Sequence, residues 1–215
     1  MPRVGSGGGL DLERLLSLKP DLVIAWQSGI PAAQLEHLQR LGLRVFYSEP
    51  ADIEAIATSL ERFGQLAGSP ETARRAASDF RQQVARLRQT YSGHSTVRVF
   101  YQIWQDPLMT VNGKHMISHW LDLCGGENIF ATLPTLAPVV DVEAVLVADP
   151  DAMIAGWYPG KSDHWKEYWQ RWPALQAVRR GHLLTVPAEI MDRQTPRAVQ
   201  AARQLCQLLE QVRRK

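Results

Sequence analysis

The stretch Asp11-Leu12-Glu13-Arg14-Leu15-Leu16-Ser17-Leu18-Lys19-Pro20-Asp21-Leu22-Val23-Ile24-Ala25-Trp26 recurs, without a gap, as Asp141-Val142-Glu143-Ala144-Val145-Leu146-Val147-Ala148-Asp149-Pro150-Asp151-Ala152-Met153-Ile154-Ala155-Gly156. Seven of the sixteen positions are identical: Asp, Glu, Leu, Pro, Asp, Ile and Ala. Each copy carries the same physical instructions. An Asp caps a short helix, a Glu sits in its first turn near the positive end of the helix dipole, Pro-Asp stops the helix, and a buried apolar strand follows. The offset of 130 residues is too long for a solenoid repeat. It implies two similar α/β lobes.

The sequence after each copy agrees. The first copy leads into a helix around residues 31–41, a strand over 43–48 and a helix around 53–67. The second leads into a Trp-rich helical stretch around 164–172, a strand over 182–186 and a final helix around 196–213. Strands alternating with helices predict parallel sheets joined by helical crossovers. Between the copies, residues 69–93 read as one long helix: Ser69 is the N-cap, Pro70 suits the first helical position, Glu71 favours the positive helix end, and Gly93 closes it. About 22 residues make a rod of roughly 33 Å, close to one lobe's diameter. Its apolar stripe is thin (Ala77, Phe80, Val84 and Leu87), which predicts a spacer lying across both lobes in place of a core helix. The second lobe then opens with a strand over 97–103. The expected division is an N-terminal lobe over 1–68, a linking helix over 69–93 and a C-terminal lobe over 94–215.

Composition narrows the function classes. The 215 residues include 24 Lys+Arg against 22 Asp+Glu, and 45% are hydrophobic. That is ordinary globular composition, and its near-neutral charge gives no electrostatic case for nucleic acid. No window reaches the roughly 18 apolar residues that a membrane span needs, and the opening run through Gly9 has no apolar core that would serve as a signal peptide. No Gly-rich phosphate loop follows a strand, no nucleophile elbow appears, and no paired carboxylates or Cys–His spacing stand out, so an α/β enzyme is not expected. Asn112-Gly113-Lys114 reads as a turn. His115 and His119, four apart on a predicted helix, have a chelating spacing, but a metal site needs three or four ligands and these are expected to be surface or packed histidines. The two cysteines, Cys124 and Cys206, lack a CxxC or nearby His cluster. They fit either two buried thiols or one long-loop disulfide.

Two Rossmann-like lobes joined by one long helix is the plan of the helical-backbone periplasmic solute-binding proteins that serve ABC importers. Three stretches resemble signatures of that family: Leu10 to Trp26; Leu123-Cys124-Gly125-Gly126-Glu127-Asn128-Ile129-Phe130; and Thr195-Pro196-Arg197 before the helix that carries Cys206. Within the family the chain most resembles the cobalamin (vitamin B12)-binding members, over nearly its whole length from Arg3 onward. The resemblance implies an α/β fold whose parallel-sheet lobes are joined by one long interdomain helix. It also implies a substrate-binding component of an ABC importer that binds cobalamin or a related corrinoid between the lobes and delivers it to the membrane permease. Such a protein is no enzyme, uses no cofactor, is a monomer in the periplasm, and inserts in no membrane. The resemblance further implies a disulfide between Cys124 and Cys206, which requires an oxidising compartment. Full members begin with a further strand, helix and strand, so the chain reads as N-terminally shortened. Gly7 stands where a family Trp precedes the Leu-Asp-Leu-Glu motif.

The binding place is then expected where strands end, because ligands of open α/β sheets sit at the carboxyl ends of strands. Trp26 and Trp104 are the leading candidates for flat walls against a corrin ring, with Trp157 and Tyr158 next. Ala188, Glu189, Ile190, Met191, Asp192 and Arg193 form a loop that resembles the family's cobalamin-contacting loop. Trp120, Trp165, Trp169 and Trp172 are assigned to packing. Glu13 and Glu143 occupy the same slot of the two repeats, and the resemblance implies that they dock against Arg residues of the permease subunits. A first-turn Glu is also favoured by the helix dipole, by about 0.3–1 kcal/mol, and both readings hold together. A ferric-siderophore or haem binder on the same scaffold is the alternative. Trp-bearing strand exits with little Arg favour the corrinoid.

Overall fold

The computed structural model describes every residue except Met1, Gly7, Gly8, Gln27, Ser28, Pro159, Lys161, Ser162, Asp163 and Lys215. The expectation that rests on Gly7 therefore lies outside the described residues. The chain forms two compact units, Met1–Glu49 and Pro50–Lys215.

In the first unit a two-residue hairpin, β1 (Gly5–Ser6) and β2 (Gly9–Leu10), precedes α1 (Leu12–Ser17). Then come β3 (Val23–Trp26), α2 (Ala32–Arg40) and β4 (Val45–Ser48). Strands β3 and β4 are parallel, with Val23 opposite Val45 and Trp26 opposite Ser48. The core is small: Leu15, Ala25, Leu35 and Leu38, flanked by half-buried Leu10, Leu12, Val23 and Val45. Asp11 caps α1 as its position predicts, its carboxylate accepting from the Arg14 backbone N–H at 3.0 Å.

The second unit begins with α3 (Ile53–Leu66) and α4 (Pro70–Tyr91). Alternating elements follow: β5 (Val97–Gln102), α5 (Met116–Leu123), β6 (Gly126–Asn128), α6 (Val142–Ala148) and β7 (Ala152–Trp157). The chain ends with α7 (His164–Trp169), α8 (Gln176–Arg179), β8 (Leu183–Pro187), α9 (Ala188–Met191) and α10 (Ala198–Arg213). The sheet order is β6-β5-β7-β8, parallel throughout. The strand order reverses between β5 and β7, which makes the gap at their carboxyl ends a topological switch point.

The sequence repeat is a structural repeat. Helices α1 and α6 bury the corresponding residues Leu15 and Val145, and strands β3 and β7 bury Ala25 and Ala155. Among the described residues, the only non-glycine positions with positive φ are Lys19 (46°) and Asp149 (39°). They are equivalent positions in the two copies, each directly before a proline. The residue before proline is pushed out of the right-handed helical region, and here the chain uses that step to leave the helix and enter the strand.

The long helix α4 corrects one expectation. Ala77, Phe80, Val84 and Leu87 are all buried, and the Phe80 ring meets Trp120 edge-on at 6.4 Å between centroids. Helices α3, α5 and α10 pack along α4. Its stripe is thus part of the core of the second unit. A four-residue stripe is narrow, but it repeats over three turns, and a narrow stripe is enough where the neighbours supply bulky side chains. Cys124, which caps the C-terminus of α5, and Cys206 in α10 form a disulfide with Cα atoms 4.7 Å apart, and both residues are fully buried.

Candidate functional site

The candidate residues lie at the carboxyl ends of strands in both units. In the first unit Trp26 is the last residue of β3 and 52% exposed. Its indole N–H donates to the Glu49 carboxylate just past β4, at 3.2 Å, so the two strand ends are tied together. The ring also lies over Gly29, where a Cβ would come within 2.2 Å of it, and any side chain there would push the indole aside. Trp26 therefore offers one flat face from a fixed position.

In the second unit the turn after β5 carries Trp104, which is 61% exposed. Its indole N–H donates to the Asp106 carbonyl at 2.9 Å, and its backbone bridges Met109. The polar edge of this ring is satisfied by its own turn, so what it presents outward is an aromatic face. At the end of β7, Trp157 and Tyr158 are each 41% exposed. The Tyr158 hydroxyl donates to Asp192 at 2.9 Å, and partial burial together with that hydrogen bond raises the phenol to about 12. By contrast Trp120 and Trp169 are fully buried, and Trp165 and Trp172 pack against the cluster around Phe100 and Trp169.

The Ala188–Arg193 stretch is not a loop throughout. Ala188 to Met191 form α9, with Ala188 and Met191 buried. Gly156 permits this, since a Cβ at that position would approach the Ala188 Cβ to 2.8 Å. Gly156 is the counterpart of Trp26 in the repeat, so the same slot that presents an indole in one unit admits a helix in the other. Glu189, Asp192 and Arg193 are exposed and Ile190 is half-buried.

A cavity of about 340 Å³ sits at the switch point between β5 and β7. It is lined by Gln102, Trp104, Gln105, Asp106, Gly156 and Trp165, among others. Gln102 and Gln105 carry no role in the sequence reading, and Trp165, assigned there to packing, also lines this cavity. The Gln102 role depends on a hydrogen bond from Trp169, 67 residues away, which leaves no local pattern.

Glu13 and Glu143 lie in the first turns of α1 and α6, both exposed, at matching places of the structural repeat. His115 is the N-cap of α5, its Nδ1 accepting from the Ile117 N–H at 3.2 Å, so it precedes the helix that carries His119. Burial, and after it the neighbouring His119, lowers its pKa. Asn112 to Lys114 form the expected turn, closed by the Lys114 N–H on the Asn112 side-chain carbonyl at 3.0 Å.

Comparison with known proteins places this geometry in context. A family model described as periplasmic binding protein matches residues 1–190. The vitamin B12-binding protein of Vibrio parahaemolyticus serotype O3:K6 is 35% identical over 216 residues, covering 100% of this chain and 78% of that protein. That of Photorhabdus laumondii subsp. laumondii is also 35% identical, over 97% of this chain and 74% of the relative. Among solved structures, the periplasmic vitamin B12 binding protein BtuF of Vibrio cholerae superposes with a TM-score of 0.88 at 33% identity, covering 100% of this chain and 84% of that one. The apo periplasmic heme-binding protein RhuT from Roseiflexus sp. RS-1 gives 0.86 at 19% identity, over 99% and 84% of the two chains, a likeness of fold alone.

Proposed function

The chain belongs to the periplasmic binding protein family, and we propose that it binds cobalamin or a related corrinoid and delivers it to the permease of an ABC importer. The observation that carries this reading is identity of about a third, spread over the whole chain, with proteins named for vitamin B12 binding. The exposed aromatic faces at strand ends support it: Trp26, Trp104, Trp157 and Tyr158 suit a large, flat, partly apolar ligand. Glu189, Ile190, Asp192 and Arg193 complete the set of contacts, with Ala188 and Met191 supporting them from below. In this reading the functional divisions are an N-terminal lobe over 1–68, the linking helix over 69–93 and a C-terminal lobe over 94–215. The protein is a periplasmic monomer that carries its ligand unchanged and catalyses nothing. Glu13 and Glu143 are the contacts to Arg residues of the permease, one from each repeat. No helix among the described residues is long and apolar enough to cross a membrane.

Equilibrium dialysis with cyanocobalamin and, in parallel, hemin tests the ligand class. Saturable one-to-one retention of cyanocobalamin in preference to hemin is expected. Retention of hemin alone would replace the corrinoid with a porphyrin on the same scaffold.

A further inference from the structure

We infer that Gln105 donates a hydrogen bond to an oxygen acceptor on the ligand, and that buried Trp169 fixes this polarity through Gln102. The inference rests on the corrinoid reading and names a contact within that same site. Trp169 is fully buried, and its indole Nε1–H lies 2.7 Å from the Gln102 side chain, which is 4% exposed. An indole nitrogen only donates, so the Gln102 atom facing it is the carbonyl oxygen. The other Gln102 amide atom is then the nitrogen, and it donates to the Gln105 carbonyl oxygen at 2.7 Å. With its carbonyl engaged, Gln105 has its –NH2 left for the cavity it lines. Turning either amide round would set donor against donor in a partly desolvated place, at a cost that a buried unmade hydrogen bond makes prohibitive. One donor-only ring in the core thus sets the polarity of a group at the surface of the cavity.

The rest of the wall is consistent with a donor site. Trp165 lines the same cavity, and its buried indole N–H has no hydrogen-bond acceptor among the described residues. Asp106 lines the same cavity, and its carbonyl accepts from Trp104. A corrinoid carries two kinds of oxygen acceptor, the carbonyls of its peripheral amides and the phosphodiester of its nucleotide loop. Both satisfy the same chemistry.

The test is isothermal titration of cyanocobalamin and of dicyanocobinamide, which keeps the amides but lacks the phosphodiester, with circular dichroism melts to verify folding. Gln105→Ala is expected to weaken cyanocobalamin binding roughly three- to tenfold. Gln105→Glu, which puts an acceptor where the donor was, is expected to weaken it further. Equal losses for both probes assign the acceptor to the amide rim, and a loss confined to cyanocobalamin assigns it to the phosphodiester. Gln102→Glu accepts from Trp169 yet turns the Gln105 amide round, so that its carbonyl faces the ligand; it is expected to weaken binding more than Gln105→Ala does, and the double variant to bind no worse than Gln105→Ala alone. Fully additive losses would show that Gln102 acts only structurally and would overturn the relay. Wild-type binding with Gln105→Ala unchanged within twofold for both probes would overturn the inference while leaving the corrinoid reading intact. No binding of either probe by the wild type would bring down that reading and this assignment with it.

Discussion

Replacing both members of the Cys124–Cys206 bridge by alanine removes the only covalent cross-link among the described residues. The magnitude follows from the chain. The two cysteines are 82 positions apart, and the chain-entropy model assigns a closed loop of that length about 4.5 kcal/mol at 25 °C. Globular domains have total stabilities of about 5–15 kcal/mol, so the loss takes a large fraction of what holds the second unit together. The bridge joins the end of α5 to α10 just before β6 begins, at the amino ends of the strands. The aromatic residues are at the carboxyl ends, so ligand affinity should change less than twofold while stability falls. Urea unfolding followed by far-ultraviolet circular dichroism, with midpoint and slope measured for both proteins, reads the difference. A loss below about 1 kcal/mol with an unchanged slope, or a loss of affinity without a loss of stability, would show that the bridge does not stabilise the fold in this way.

Charge reversal of both Glu13 and Glu143 to lysine should abolish cobalamin uptake by at least tenfold in cells while leaving equilibrium binding to the purified protein unchanged; uptake that persists with intact binding would remove the docking role. Trp120→Ala should cost about 3–5 kcal/mol by leaving a cavity against Phe80 and α4. Trp120→Phe should cost well under half of that, because the buried indole N–H makes no hydrogen bond that the phenyl ring would lose; urea midpoints of the two variants test this. His115 titrates below the ordinary histidine value of 6.5 because it is buried and faces His119. The unfolded chain therefore takes up the proton first, so this contribution to stability is present above about pH 6.5 and is lost as the pH falls below it. His115→Asn, which caps a helix without titrating, should flatten that limb of the stability curve and change stability at pH 7.5 by only a few tenths of a kcal/mol.

Much of the fold was legible because its signals are local. The Asp11 cap, the Pro20 and Pro150 stops and the apolar runs after them are read within a dozen residues, and both copies form helix then strand, although the side chain of Asp141, unlike that of Asp11, makes no capping hydrogen bond. The long helix runs over Pro70–Tyr91, within the span that Ser69 and Gly93 delimit, and its stripe is the stripe that is buried. What that stripe meets was not legible, because Trp120 lies 40 residues from Phe80 in sequence and only packing brings them together. The same limit explains the site. Trp26 and Trp104 were visible as strand-exit aromatics, and the structure leaves both exposed. The turn of Ala188–Met191 into a helix was hidden, because it depends on the absence of a side chain at Gly156, 32 residues earlier. The relay from Trp169 to Gln105 spans 67 residues at its longest step, and no spacing rule reaches across that distance.

Tryptophan fluorescence during titration with cyanocobalamin reports whether a corrinoid lies against the exposed indoles, as proposed. Saturable quenching at one equivalent is expected, with a smaller quench and weaker binding in both Trp26→Leu and Trp104→Leu. Fluorescence that stays unchanged at high ligand, or quenching that is identical in the wild type and both variants, would contradict it.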